Sequence, residues 1–214
     1  VLTSLGAKER LALSFRYMKD DPQNNIRVIP PLLRKEVTLH EPYSGDYVHG
    51  YMVNAGFSEN VMKWHRQHPR IPLRFFWDKW EEEPVKRVDN TLSFYQLDDV
   101  EFLRQMAGCK AYASTAGFES VCEAMYLGKP ILMVPAHIEQ DCNAYDAEKS
   151  GAGIISSDFN LQQLLEFAKD YHPNRDFVYW VRGAEYTLLN LLESDSSNYQ
   201  QVLFNEMYLV EEFI

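Results

Sequence analysis

Apolar positions along the middle of the chain come in short runs that alternate with helically spaced stretches. The runs DYVHGYMV (46–53), IPLRFFWDK (71–79), TLSFY (91–95), KAYAS (110–114), PILMVP (130–135) and AGIIS (152–156) concentrate aliphatic and aromatic residues and predict strands. Residues 54–69 predict a loop and then a helix, and 98–109, 118–128, 139–151 and 161–171 predict helices. The interior of PILMVP is wholly apolar, as in a strand covered on both faces. Strand–helix alternation of this kind predicts parallel βαβ units in a doubly wound α/β sheet. Ligands of such sheets bind beyond the carboxyl ends of the strands. The loops to search are therefore 54–58, 95–99, 114–120 and 136–140.

The flanks read differently. Residues 5–20 show helical spacing of Leu11, Leu13, Phe15 and Met18, and IRVIPPLL (26–33) is a short strand stopped by Pro30 and Pro31. The polar stretch 34–46 reads as a linker, and EEEPVKRVDN (81–90) as an acidic turn. Trp77 and Trp80 beside it read as core and turn. Residues 176–194 and 197–211 predict two amphipathic helices. The expected organisation is a connector over 1–45, a Rossmann-like sheet domain over 46–172 and C-terminal helices over 173–214.

Composition narrows the function. Lysine and arginine number 21 against 31 acidic residues, a net charge of −10, which excludes the basic surface that nucleic-acid binding needs. A phosphorylated ligand would have to be held locally, by backbone N–H groups and a helix N-terminus. Hydrophobic residues make up 46% of the chain, enough for a proper core. Cys109, Cys122 and Cys142 have neither disulfide nor metal-ligand spacing and read as small buried residues in a reducing compartment. No apolar stretch is long enough to span a bilayer and no leader opens the chain, so a cytoplasmic setting is expected, with a peripheral place at the inner face of a membrane left open. The first residue, Val1, reads as the start of an excised or processed piece.

Three places carry candidate chemistry. Thr115, Gly117, Phe118 and Ser120 lie in a small-residue turn opening a helix, where amides and a hydroxyl suit a diphosphate. Glu123, four residues after Glu119, sits one turn in, where a carboxylate accepts hydrogen bonds from a ribose diol. Glu119 is expected to point aside, since its charge repels phosphate. Glu139 and Gln140 pair an acid with an amide at a strand-to-helix turn, a combination that reads adjacent sugar hydroxyls. Each also has an ordinary structural explanation, as caps, first-turn acids or solvated side chains.

The order TAGFESVCEAMYLGKPILMVP followed by EQDCNA resembles the donor-binding, C-terminal half of GT-B glycosyltransferases. It is similar to the UDP-glucuronosyltransferase type and to the bacterial N-acetylglucosaminyl transferase of peptidoglycan synthesis. Gly117, Ser120, Glu123, Gly128, Pro130, Gln140, Asn143 and Ala144 fall in register, with Glu139 in place of the usual aspartate. The resemblance implies a Rossmann-like half of a GT-B fold. It implies that Gly117, Phe118 and Ser120 meet the diphosphate, Glu123 the ribose, Glu139 and Gln140 the donor sugar, and Leu97 the base. Asn54, Ala55 and Gly56 match a phosphate-closing loop loosely. Thr115 stands where the glucuronosyltransferase type has a phosphate-binding histidine, and Glu119 replaces an asparagine. The expected ligand is a nucleotide sugar, leaning to UDP, with no cofactor and no metal strictly required. The general base is expected in an N-terminal half outside this chain, so no catalytic residue is assigned; His137 alone among the histidines merits a test. Expected partners are that missing half or a separate subunit, with self-association through the C-terminal helices. A nucleotide-sugar epimerase and a partner-dependent, non-catalytic subunit remain open alternatives.

Overall fold

The fold is described from a computed structural model, which covers residues 6–7, 9–79 and 83–193, the side chains of 192 and 193 aside. Trp80 and the helix expected over 197–211 lie outside the described residues. The described residues fall into two compact units, one of those up to Leu32 with those from Arg175 onward, and one of those from Leu33 to Asn174.

The smaller unit holds a two-stranded parallel sheet of β1 (Arg10–Leu13) and β2 (Ile26–Ile29). The helix expected over 5–20 is thus not formed at Arg10–Leu13: this stretch alternates half-buried and exposed residues and pairs with β2 in register from Arg10 to Ile26. Non-local pairing has overridden a local helical spacing. The strand expected at IRVI is borne out and ends at Pro30 and Pro31, which cannot donate to a ladder. The helix expected over 176–194 is two, α6 (Arg175–Arg182) and α7 (Ala184–Glu193), broken at Gly183. Phe177, Trp180 and Val181 of α6 are buried, and the Trp180 indole donates to Ser14 O at 3.0 Å.

The larger unit contains β3 (Val48–Met52), α1 (Ser58–Gln67), β4 (Leu73–Trp77), β5 (Val85–Arg87), β6 (Leu92–Gln96), α2 (Asp99–Gly108) and β7 (Ala111–Ser114). It continues through α3 (Phe118–Tyr126), β8 (Ile131–Met133), α4 (Ile138–Lys149), β9 (Gly153–Ile155) and α5 (Leu161–Phe167). The sheet order is β5-β6-β4-β3-β7-β8-β9, parallel throughout except for antiparallel β5 at one edge. The expected doubly wound α/β sheet is therefore present. The stretch expected as an acidic turn supplies β5 instead, because Val85 to Arg87 pair with Tyr95 to Ser93.

Strand alternation sorts the core onto two faces. On one face Val48, Met52, Phe75, Ala111 and Ala113 pack with Val61 and Trp64 of α1 and Leu161 and Leu164 of α5. On the other, His49 lies against the rings of Phe76, Phe102 and Tyr112 at 4.8–5.4 Å. Each fully buried aromatic of this kind contributes about 1.5–3 kcal/mol. Gly50 makes room for this layering: a Cβ there would lie 2.2 Å from the Phe75 ring. The chain leaves β3 toward β4 and β6, then returns to β7 on its other side and proceeds to β8 and β9. The topological switch point therefore falls between β3 and β7, with the loops at 54–57 and 114–117 at its mouth.

Candidate functional site

The loop after β7 is tightly built. Ala116, fully buried, has φ 60°, an uncommon left-handed conformation for a residue with a Cβ. Its amide donates to Ser114 Oγ at 3.1 Å, and its carbonyl accepts from Asn143 Nδ2 at 3.3 Å. Gly117 follows as the N-cap of α3, with no side-chain cap over that helix start. Its φ is −63°, and a Cβ there would meet nothing nearer than Ser120 Oγ at 3.7 Å. The fold itself does not require glycine at 117. Ser120 Oγ donates back to Gly117 O at 3.1 Å. Thr115, expected to offer its hydroxyl to phosphate, is 1% exposed, and its Oγ1 accepts from Val53 N at 3.4 Å. It ties the ends of β3 and β7 together.

Glu123 is 2% exposed, and the side chain of Arg34 covers it. Arg34 Nε donates to Oε1 at 2.6 Å and Nη2 to Oε2 at 3.0 Å, a bidentate fork. Arg34 Nη1 lies 3.3 Å from Asp99 Oδ1 at the start of α2. Burial raises the Glu123 carboxyl above its ordinary range, and the Arg34 guanidinium opposes that rise. The hydrogen bond to Glu123 raises Arg34 in turn. The carboxylate expected to be open to a ribose is thus closed in this structure. Arg34 was not singled out from the sequence, since it lies 89 residues from Glu123 in a stretch read as linker. No spacing rule links the two.

At α4 the expected pair separates. Gln140 is buried and its Oε1 accepts from Ala136 N at 2.9 Å, pinning the loop after β8. Glu139 is exposed in the first turn, next to Ile138, which is 81% exposed, and His137 at the N-cap. Asn54 caps the short turn Ala55–Phe57, its side chain accepting from Gly56 N at 2.8 Å; both Asn54 and Gly56 are exposed.

Beyond the ends of β4 and β6 opens a cavity of about 350 Å³ lined by Phe76, Pro84, Val85, Tyr95, Gln96, Leu97, Asp98 and Glu101. Leu97 is half exposed at its wall, and Tyr95 stacks on Phe76 at 5.0 Å. Asp98 caps α2 through Glu101 N at 2.8 Å, and Glu101 is paired with Arg104 and Gln105. Both carboxylates at this mouth are thereby committed. The switch-point loops, the Arg34 cluster and this cavity lie on the edge of the sheet formed by the strand ends, where a doubly wound fold binds its ligand. Among the described residues no group of three or more histidine, cysteine, aspartate or glutamate side chains is arranged to hold a metal, and no helix is long and apolar enough to cross a membrane.

Comparison with known proteins defines the class. Residues 6–171 match glycosyl transferase family 1, and the chain belongs to that family. It is 26% identical over 105 residues to a putative UDP-glucuronosyltransferase, ugt-48, of Caenorhabditis elegans, a match covering 48% of this chain and 20% of that protein. The fold superimposes on the crystal structure of a glycotransferase of kitacinnamycin, with a TM-score of 0.53 and 13% identity over 77% of this chain and 46% of the other. It also superimposes on the spinosyn forosaminyltransferase SpnP, with a TM-score of 0.51 and 12% identity over 92% and 55%. The chain thus spans a fifth of the relative it matches in sequence and about half of the solved structures. The resemblance to GT-B glycosyltransferases of the UDP-glucuronosyltransferase type, and the Rossmann-like α/β fold it implied, are borne out.

Proposed function

We propose that the chain binds the donor of a glycosyl transfer, a nucleotide sugar and by preference a UDP-sugar, at the strand-end edge of its larger unit. The hexosyl group passes to an acceptor whose activation is not assigned to any residue here. The observation that carries this reading is the cavity at Leu97 together with the α3 N-terminus that no side chain caps. The cavity has an apolar and aromatic wall for a base. Gly117, with no side chain of its own, lets a diphosphate approach the backbone at the start of α3. Family membership supports the chemistry, and stabilising the departing diphosphate is electrostatic work that such a helix start performs. Glu139, exposed at the start of α4, remains the candidate for the donor sugar, and Gln140 supports it by fixing the loop. Asn54 and Gly56 face the same mouth from the β3 side.

The test is calorimetry of the purified chain against UDP, GDP and dTDP. Saturable binding of UDP, stronger than that of the other two, is expected. Binding to none of the three overturns the reading.

A further inference from the structure

Resting on the donor-site reading above, we propose that Arg34 is an autoinhibitory latch: its side chain fills the place of the nucleotide's ribose over Glu123, and the donor enters only when the guanidinium swings out. Position carries the inference. Arg34 forks both oxygens of Glu123 on α3, and its Nη1 lies 3.3 Å from Asp99 in the first turn of α2. The guanidinium therefore bridges α3 and α2. On the donor-site reading the diphosphate lies at the start of α3, beside Gly117. The base lies in the cavity walled by Leu97 and Asp98, and Asp98 is the N-cap of α2. Glu123 lies six residues along α3 from Gly117, about 9 Å at the helical rise. A nucleotide laid from one helix start to the other puts its sugar between them, where the guanidinium now is.

The exchange is chemically matched. The Glu123 carboxylate takes two donors side by side; a guanidinium edge supplies them, and so does a vicinal diol. Among the described residues no other group donates to either oxygen, so a side chain that is 3% exposed depends on whatever covers it. Arg34, 36% exposed, has somewhere to go: Asp99 is solvated, and Glu119 also acts on the same guanidinium. The fork is not needed to fasten the segment that carries Arg34. Val37 is fully buried there, and Tyr43 N donates to Ala107 O and Gly45 N to Gly108 O, each at 3.0 Å. The moving part is one side chain on a fixed backbone. Because Arg34 and the nucleotide compete for one carboxylate, the sign of its removal is diagnostic. A residue that grips the ligand or only supports the fold weakens binding when removed, whereas a latch strengthens it.

The test titrates UDP and 2′-deoxy-UDP into the wild-type chain and into Arg34→Ala, Arg34→Lys and Glu123→Gln, with thermal unfolding of each recorded with and without UDP. The wild type binds only through its open fraction, so Arg34→Ala is expected to bind UDP about tenfold more tightly, and Arg34→Lys to be intermediate. Both unfold at lower temperature than the wild type without ligand, because Glu123 loses its fork, and both gain more from saturating UDP. The preference for UDP over 2′-deoxy-UDP is expected in the wild type and in both Arg34 variants, and to vanish in Glu123→Gln. If Arg34→Ala fails to fold, Arg34→Lys, which keeps the charge but cannot fork, carries the test. Unchanged or weaker UDP binding by the Arg34 variants, or a ribo/deoxy preference that survives Glu123→Gln, overturns the latch and leaves the donor-site reading standing. Failure of the wild-type chain and every variant to bind UDP overturns both.

Discussion

At the scale of single residues, Gly117 separates what the fold needs from what a ligand needs. Its φ of −63° is open to any residue, and an added Cβ finds its nearest neighbour at ordinary contact distance. Gly117→Val is therefore expected to unfold within a few degrees of the wild type, and to bind UDP at least tenfold more weakly because the side chain stands over the helix amides. A large loss of thermal stability would make the glycine structural. His49 gives the pH dependence. Burial pushes its pKa down to about 3, so it is neutral in the folded protein; Arg74, Glu101 and Lys129 act on it from neighbouring elements. In the unfolded chain it takes up a proton below about pH 6.5. Between these values the unfolded state binds more protons, so stability falls as pH falls from about 6.5 toward 3. His49→Phe, set among Phe76, Phe102 and Tyr112, is expected to flatten the upper part of that limb in urea unfolding between pH 7 and 5. An unchanged slope would show that another group carries it.

At the scale of elements, Lys129 shows how a turn organises its surroundings. It follows α3, is 4% exposed, and its Nζ donates to Tyr43 O at 2.8 Å and Cys109 O at 3.0 Å. Burial lowers its pKa. The ammonium thus clamps the polar segment that also carries Arg34 onto the entrance of β7. Lys129→Met is expected to cost about 1–3 kcal/mol by leaving two carbonyls unpaired, measured by chemical denaturation. Unaltered stability would remove the clamp. The same segment explains what the sequence could and could not disclose. β3, β4, β6, β7 and β8 were legible because each is an apolar run flanked by turn residues, and the helices between them because their buried faces recur at helical spacing. β1 was not, since four residues of mixed exposure take their form from a partner 16 positions away, Arg10 on Ile26. β5 was not, because three residues with two exposed basic side chains become a strand only by pairing with β6. In the site, the loop after β7, the Leu97 wall and the edge of α4 were legible as loop chemistry. The occupancy of Thr115, Gln140 and Glu123 was not: it depends on Val53, Ala136 and Arg34, which no spacing along the chain connects to them.

At the scale of the whole molecule, charge and function pull in opposite directions. The chain carries a net charge of −10, and the proposed ligand is a polyanion. The long-range field therefore slows approach, and on the proposed reading the attraction is supplied only at contact, by local donors at the strand-end edge. Salt shortens the reach of the field from about 30 Å at 0.01 M to about 8 Å at 0.15 M. The association rate of UDP, followed by stopped flow, is expected to rise severalfold over that range. A rate that falls with salt would mean that a local positive potential dominates the approach.

The order of strands in the sheet also has a consequence for synthesis. β3 sits at the centre, yet its second neighbour, β7, begins only at Ala111, about 60 residues after Met52 leaves the ribosome. At ~5–20 residues per second, one flank of the central strand stands open for roughly 3–12 s. During that interval its unpaired amides and carbonyls can recruit a strand from another nascent chain. Crowded expression should thus tax this protein before it is finished, through a hazard that the completed sheet conceals.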